Sequence, residues 1–371
     1  MSHPDDERLP FADLSPGSDA KEIREAIDRV LARGWYILGP EVEAFESEFA
    51  SASGAKYAIG VANGTDAIAL ALRASGVEPG DEVIVPAMTA TFTALAVVAA
   101  GAIPVFADID PRTLTLDARS CAEAITPRTR AIVPVHLYGQ AADMLEIMAV
   151  TDRHRLVVIE DCCQAHLATC NGLPVGTIGA AGAFSFYPTK NLGAVGDGGA
   201  VITSDGALAD RVRLLRNGGQ TNRYMHAVAG VNSRLDELQA AVLRARLPNL
   251  VQETGLRRMH AAFYRDALTG QVAPVAERDA GHVYHLFPVR SARRDVLQAH
   301  LARAGVETLI HYPIPLHKQP AFAQLTPRDC PVAARAAAEL LSLPLHPRLH
   351  QRQAARVVDA IEAFEKGSID A

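Results

Sequence analysis

The chain has 371 residues, of which 49% are hydrophobic, and 42 Asp plus Glu against 36 Lys plus Arg leave a formal net charge of −6. That length suits one large and one small domain with a sizeable core, and the balance of charge offers no global field for a phosphate backbone or an anionic bilayer, so neither nucleic acid nor membrane is expected as a partner. The polar, acidic start MSHPDDERLP lacks the basic end and apolar stretch of a signal peptide, and no apolar run approaches the roughly 18 residues of a membrane span, which makes a cytoplasmic location the expectation.

In chain order, SDAKEIREAIDRVLARG spaces Ile23, Ile27, Val30 and Leu31 as the apolar stripe of a helix, with Ser18 or Asp19 as its cap. From residue 57 short β-rich runs alternate with helical ones: YAIGVAN then TDAIALALRASG, DEVIVP then TATFTALAVVAAG, IPVFADI, RAIVPVH, the helical DMLEIMAVTDRH, then LVVIED. This alternation predicts a mostly parallel sheet covered by helices on both faces, and the continuously apolar strands fit burial on both faces. GAFSFY and GAVITS extend the same sheet. The helical SRLDELQAAVLRARL runs into Pro248, which should end or bend it. A domain boundary is expected there, giving a large domain over 1–250 and a smaller α+β domain over 251–371 that contains HLFPVRS and DVLQAHLARAGVE. The five cysteines (Cys121, Cys162, Cys163, Cys170, Cys330) form no CxxC pair, so neither a disulfide framework nor a metal site is expected.

In an open α/β sheet ligands sit beyond the carboxyl ends of the strands. Three such ends carry complementary groups. Asn63, Gly64 and Thr65 open a helix whose amides and dipole suit a phosphate, although an ordinary cap by Asn63 or Thr65 explains them equally well. LVVIED delivers Glu160 and Asp161, followed by Gln164 and His166. SFYPTKNLGAVGDGGAV then places Ser185 five residues before Lys190, with four glycines after it. A lysine held among small residues in a crevice loses hydration, which lowers its pKa and frees its amine as a nucleophile. Phosphate-ready helix end, carboxylate and lysine, in that order, are what pyridoxal 5′-phosphate requires.

Together with GWYILGPEVEAFESEFA, GDEVIVPAMT, PVFADID, IEDCCQAH, GVNSRLDELQAAVL and HYPIPLH, these segments resemble the DegT/DnrJ/StrS sugar aminotransferases, which have the aspartate-aminotransferase fold, or fold type I. The resemblance implies that Lys190 is the Schiff-base lysine, that Asp161 holds the pyridine nitrogen protonated and that Gln164 contacts the ring or its hydroxyl. It also implies phosphate contacts from Gly64, Thr65, Asp66 and Ser185, with Asn232 reaching in from the neighbouring subunit of a homodimer. Relatives usually carry an aromatic after the Thr of PAMT; here that position is Ala90, with Phe92 two residues on. The implied reaction is amino transfer from glutamate to a nucleotide-linked sugar, most similar to amination at C3 of a dTDP-3-keto-6-deoxyhexose; a 4-keto sugar, a cyclitol and a non-catalytic regulator of the same fold stand as alternatives. Sugar contacts are implied for Tyr187, Tyr224, His311, Tyr312 and His317. Arg216 and Arg223 in LLRNGGQTNRYMH suit a diphosphate or a solvated surface equally. Trp35 and Tyr36 line a pocket or pack a turn, and Cys162 and Cys163 read as small thiols of the core.

Overall fold

The computed structural model describes residues 8–325 and 328–367. All seven runs expected as strands form one sheet: β1 (Tyr57–Val61), β2 (Glu82–Pro86), β3 (Ile103–Ala107), β4 (Thr129–Ile132), β5 (Val157–Asp161), β6 (Ala181–Ser185) and β7 (Gly199–Thr203). The order is β1-β7-β6-β5-β4-β2-β3. Only β7 is antiparallel to its neighbours, so β1, β2, β5 and β6 end at one edge.

Alternate strand residues feed separate cores. Val83, Val85, Ile59, Ile159 and Val201 belong to one, and Ile84, Ala58, Val158 and Ile202 to the other. The helices of this region are α1 (Ala20–Arg33), α2 (Pro40–Ala52), α3 (Gly64–Ala74), α4 (Thr91–Ala99), α5 (Ala118–Glu123), α6 (Met144–His154), α7 (Gly206–Arg216) and α8 (Glu237–Arg246). Ala67 and Ala71 of α3, Val97 of α4 and Val212 of α7 close the first core; Phe45 and Phe49 of α2, Cys121 of α5, Ile147 of α6 and Leu243 of α8 close the second. Asp19 does occupy the N-cap of α1, but its carboxylate accepts from the Gly17 amide and pairs with Arg246 at 3.0 Å instead of bonding the first turn. The start of α2 is held from a distance: the buried Glu237 carboxylate accepts from the amides of Gly39, Glu41 and Val42.

As expected, Pro248 interrupts the helix, in a 3₁₀ turn at Leu247–Asn249 that leads into α9 (Leu250–Ala267). Beyond it β8 (Ala273–Pro274), β9 (Phe287–Arg290) and β10 (Leu340–Leu343) make a three-stranded antiparallel sheet. It packs with α9, α10 (Arg294–Arg303) and α12 (Gln351–Gly367) through Tyr264, Leu297, Leu301, Val357 and Ile361. Leu9 from the N-terminal segment joins this core, while Ala333 and Ala336 of α11 (Pro331–Glu339) join the first core of the large sheet. Among the described residues no helix is long and apolar enough to cross a membrane.

Candidate active site

The strand ends that share an edge open into one cavity of about 1340 Å³, lined by Asn63, Gly64, Thr65, Asp66, Asp161, Gln164, Ser185 and Lys190 among others. At the end of β1, Asn63 caps α3 by accepting from the Asp66 amide at 2.8 Å. The cap and the anion socket therefore coexist. The Asp66 amide is spent on the cap and its carboxylate on the Ser233 hydroxyl at 2.6 Å, which leaves the amides of Gly64 and Thr65 and the Thr65 hydroxyl at the positive end of the helix. A Cβ at Gly64 would lie 2.7 Å from Cys163 Sγ and 2.7 Å from Ser185 Cβ, so this helix end seats against β5 and β6 only with glycine there.

Asp161 ends β5 with its carboxylate fixed: Oδ2 accepts from Thr93 Oγ1 at 2.8 Å and Oδ1 from the Cys163 amide at 3.1 Å. Thr93, on α4, also lines the cavity, and no local pattern in the sequence marks it. The neighbouring Glu160 points the other way, as successive strand residues must. Its buried carboxylate accepts from His136 Nε2 and from the amides of Gly176, Ile178 and Gly179. His136, Glu160 and Cys162 cluster tightly enough for a metal. However, His136 Nδ1 already accepts from the Ala142 amide and the Glu160 oxygens are filled, so the set braces the strand end instead.

Lys190 lies in the turn after β6, its amide bonded to the Tyr187 carbonyl. Burial pushes its ammonium below the ordinary 10.5, against the opposing pull of Cys163 and Asp161. The next residue, Asn191, donates Nδ2 to the Val283 carbonyl and turns Oδ1 to His285 Nδ1 at 3.3 Å. His285, which lines the cavity, is pushed well below 6.5 by burial, then by Lys190 and Arg257, and is neutral. His166 is buried between Phe184 and Phe186, outside the cavity, and burial drives it to about 3.

Gln164 accepts from the Tyr138 amide at 2.7 Å and donates to the Tyr312 hydroxyl at 2.9 Å. His311 bonds Ser342 Oγ through Nδ1, and burial lowers it to about 4. Tyr187, His311 and Tyr312 line the cavity, as do Ala90 and Phe92, the latter 65% exposed. Other expected residues fall elsewhere. Arg216 is a correction: it is buried in the last turn of α7, where it donates to Glu46 and to the Gly60 carbonyl and is not free for a phosphate. His317 is buried away from the cavity, a second correction. Arg223, Tyr224 and Asn232 are exposed and do not line this chain's cavity, and neither do Trp35 and Tyr36. Trp35 donates to the Ile37 carbonyl across its turn. All five cysteines are free; Cys163 lines the cavity and burial raises its thiol.

A glycine-tight anion socket, a carboxylate held by two donors and a desolvated amine around one cavity fit pyridoxal phosphate. The DegT/DnrJ/EryC1/StrS aminotransferase family profile matches residues 18–362. The dTDP-3-amino-3,4,6-trideoxy-alpha-D-glucose transaminase of Streptomyces venezuelae is 48% identical over 364 residues, 96% of each chain. The solved structure of S. venezuelae DesV in complex with a ketimine intermediate superposes with a TM-score of 0.93 at 48% identity, over 96% of this chain and 98% of that one. NtdA from Bacillus subtilis, solved with bound cofactor PMP, superposes with a TM-score of 0.91 at 32% identity, over 97% of this chain and 86% of that one.

Proposed function

The chain belongs to the DegT/DnrJ/EryC1/StrS family of aminotransferases, which use pyridoxal 5′-phosphate, and from that premise we propose that it moves an amino group from glutamate to C3 of a dTDP-linked 3-keto-6-deoxyhexose. The observation that carries the reading is Lys190, a lysine whose ammonium burial disfavours, opening into the same cavity as the fixed carboxylate of Asp161. The choice of sugar is supported by the 3-amino sugar named for the S. venezuelae relative.

When bound, the cofactor supplies an aldehyde to carry nitrogen and a ring that accepts electrons. Lys190 Nζ would hold that aldehyde as its nucleophile, and its amine would take and return the proton at the α-carbon of the donor. Asp161 presents its charge to the ring nitrogen, and Gln164 contacts the ring. The Gly64 and Thr65 amides and the Thr65 and Ser185 hydroxyls hold the phosphate, with Asp66 shaping the helix end. His311, Tyr312 and Tyr187 face the sugar. Asn232, Arg223 and Tyr224 serve the partner's cavity in a cytoplasmic homodimer, a reading supported by their exposure and by the exposed Trp35, Leu95, Val98, Val195 and Met225. The same reading assigns cofactor binding to 1–250 and the small domain to 251–371.

The test is incubation of the cofactor-loaded enzyme with glutamate and matched 3-keto and 4-keto dTDP sugars, with the new amine located by NMR. A C3 amine is expected. Amination only at C4, or only of a non-nucleotide cyclitol, overturns the reading.

A further inference from the structure

We propose that Arg257 binds the distal carboxylate of a dicarboxylic amino donor and thereby selects acidic amino acids; this rests on the aminotransferase reading. Arg257 projects from α9 into the cavity wall and is 8% exposed. A cation that deep is ordinarily matched by a carboxylate. The other two arginines of this wall are so matched, Arg246 with Asp19 and Arg348 with Asp13. Arg257 has no carboxylate within ion-pair distance among the described residues. Glu253, one turn earlier, acts on it only through space and is itself pushed toward its neutral form by burial. Nη1 donates to the carbonyls of Tyr284 at 3.2 Å and Leu345 at 3.0 Å, while Nη2 and Nε meet no protein acceptor among the described residues. Burial lowers the guanidinium to about 10, against the opposing pull of Glu253.

Arg257 is connected to the turn that carries Lys190. Arg257 grips the carbonyl of Tyr284, the next residue His285 bonds Asn191, and Asn191 follows Lys190. Lys190 and Arg257 line the same cavity as His285, and both cations help to lower its pKa. With Nδ1 engaged by Asn191 Oδ1, the neutral His285 has only a lone pair at Nε2 and cannot donate to an anion there. Of the three arginines that line the cavity, Arg257 is the one without an ion-pair carboxylate among the described residues, and so the one open to a donor's carboxylate. A dicarboxylic donor bound at Lys190 shares its cavity with Arg257 and offers it a second carboxylate, whereas a neutral side chain leaves the guanidinium without an ion-pair partner.

The donor half-reaction of the cofactor-loaded enzyme, followed by absorbance, is compared for glutamate and for glutamine, its neutral counterpart of equal length. The parent should prefer glutamate. Arg257→Gln should lower kcat/KM for glutamate about 30-fold or more, mainly through KM, the order expected when one partner of a buried charge pair is removed, with glutamine unchanged. Arg257→Lys should retain part of the preference. Equal loss with both donors, the outcome if the guanidinium only braces the Tyr284 and Leu345 carbonyls, overturns the proposal, and so does an unaltered preference. If Arg257→Gln does not fold, calorimetric titration with glutarate and butyrate decides: the parent should bind glutarate more tightly and Arg257→Lys should lose part of that advantage, while equal binding overturns the proposal. Displacement of glutarate by pyrophosphate in the parent but not in Arg257→Lys assigns the guanidinium to the nucleotide and also overturns it. A parent that converts no amino acid defeats the aminotransferase reading itself, whereas conversion without the selectivity change defeats this inference alone.

Discussion

Asp161 and Arg257 line the same cavity and are provided for very differently. The Asp161 carboxylate receives Thr93 and Cys163, and on the same floor Asp66 receives Ser233 and Gln164 has two partners of its own. Arg257, on the wall built from the last third of the chain, has two backbone carbonyls and, among the described residues, no acid within ion-pair distance, and both ring nitrogens of His346 on the same wall are buried without a partner there. Carboxylates already held by fixed donors need no reorganisation when charge develops beside them. A wall with open valences can find partners in a substrate, and on the proposed reading it is where donors are told apart. The proposed reading assigns chemistry and selectivity to separate layers of the fold.

The sharpest way to break that division is at Lys190. Lys190→Ala should bind the cofactor without a covalent link, visible in the absorbance spectrum, and lose about 10⁴-fold in turnover with every substrate pair. The same residue gives a pH signature in the cofactor-free protein. Because the folded state holds the Lys190 proton less tightly than the unfolded chain, the parent should gain stability as pH rises from the lowered folded value toward 10.5. Urea midpoints over that range should show the gain in the parent and not in Lys190→Ala. Asp161→Asn keeps the shape and removes the charge, and single-turnover rates should fall on the order of 10²-fold; Thr93→Val, which removes one charge-assisted bond to that carboxylate, should cost about tenfold. Parental rates in Asp161→Asn would place the ring partner elsewhere. The smallest effect is expected on the wall, where Tyr312→Phe loses only its hydroxyl bond to Gln164, about 1 kcal/mol. It should raise KM for the keto sugar a few-fold and leave the donor half-reaction intact. A defect in both halves would show that floor and wall are not separable.

The seven strands, the five runs read as helical and the convergence of Thr65, Asp161, Ser185 and Lys190 on one cavity were legible in the sequence because each depends on its own neighbourhood. Apolar runs and helical spacing repeat within a few residues, and a strand that must end delivers its next polar residue to the sheet edge. Tertiary structure decided which polar groups meet. Thr93 reaches Asp161 across 68 positions, His285 reaches Asn191 across 94, Gln164 reaches Tyr312 across 148, and Glu237 holds the Glu41 amide at the start of α2 across 196. It also decided burial: Arg216 and Arg223 stand seven positions apart in one polar stretch, yet one is locked to Glu46 beneath β1 and the other lies open. Arg257 follows the same rule, since nothing adjacent to it in LRRMHAAF distinguishes a buried unmatched cation from the surface arginine of an ordinary helix. Separation along the chain carries no distance through space, so the pairing of charges is set only when the two layers pack.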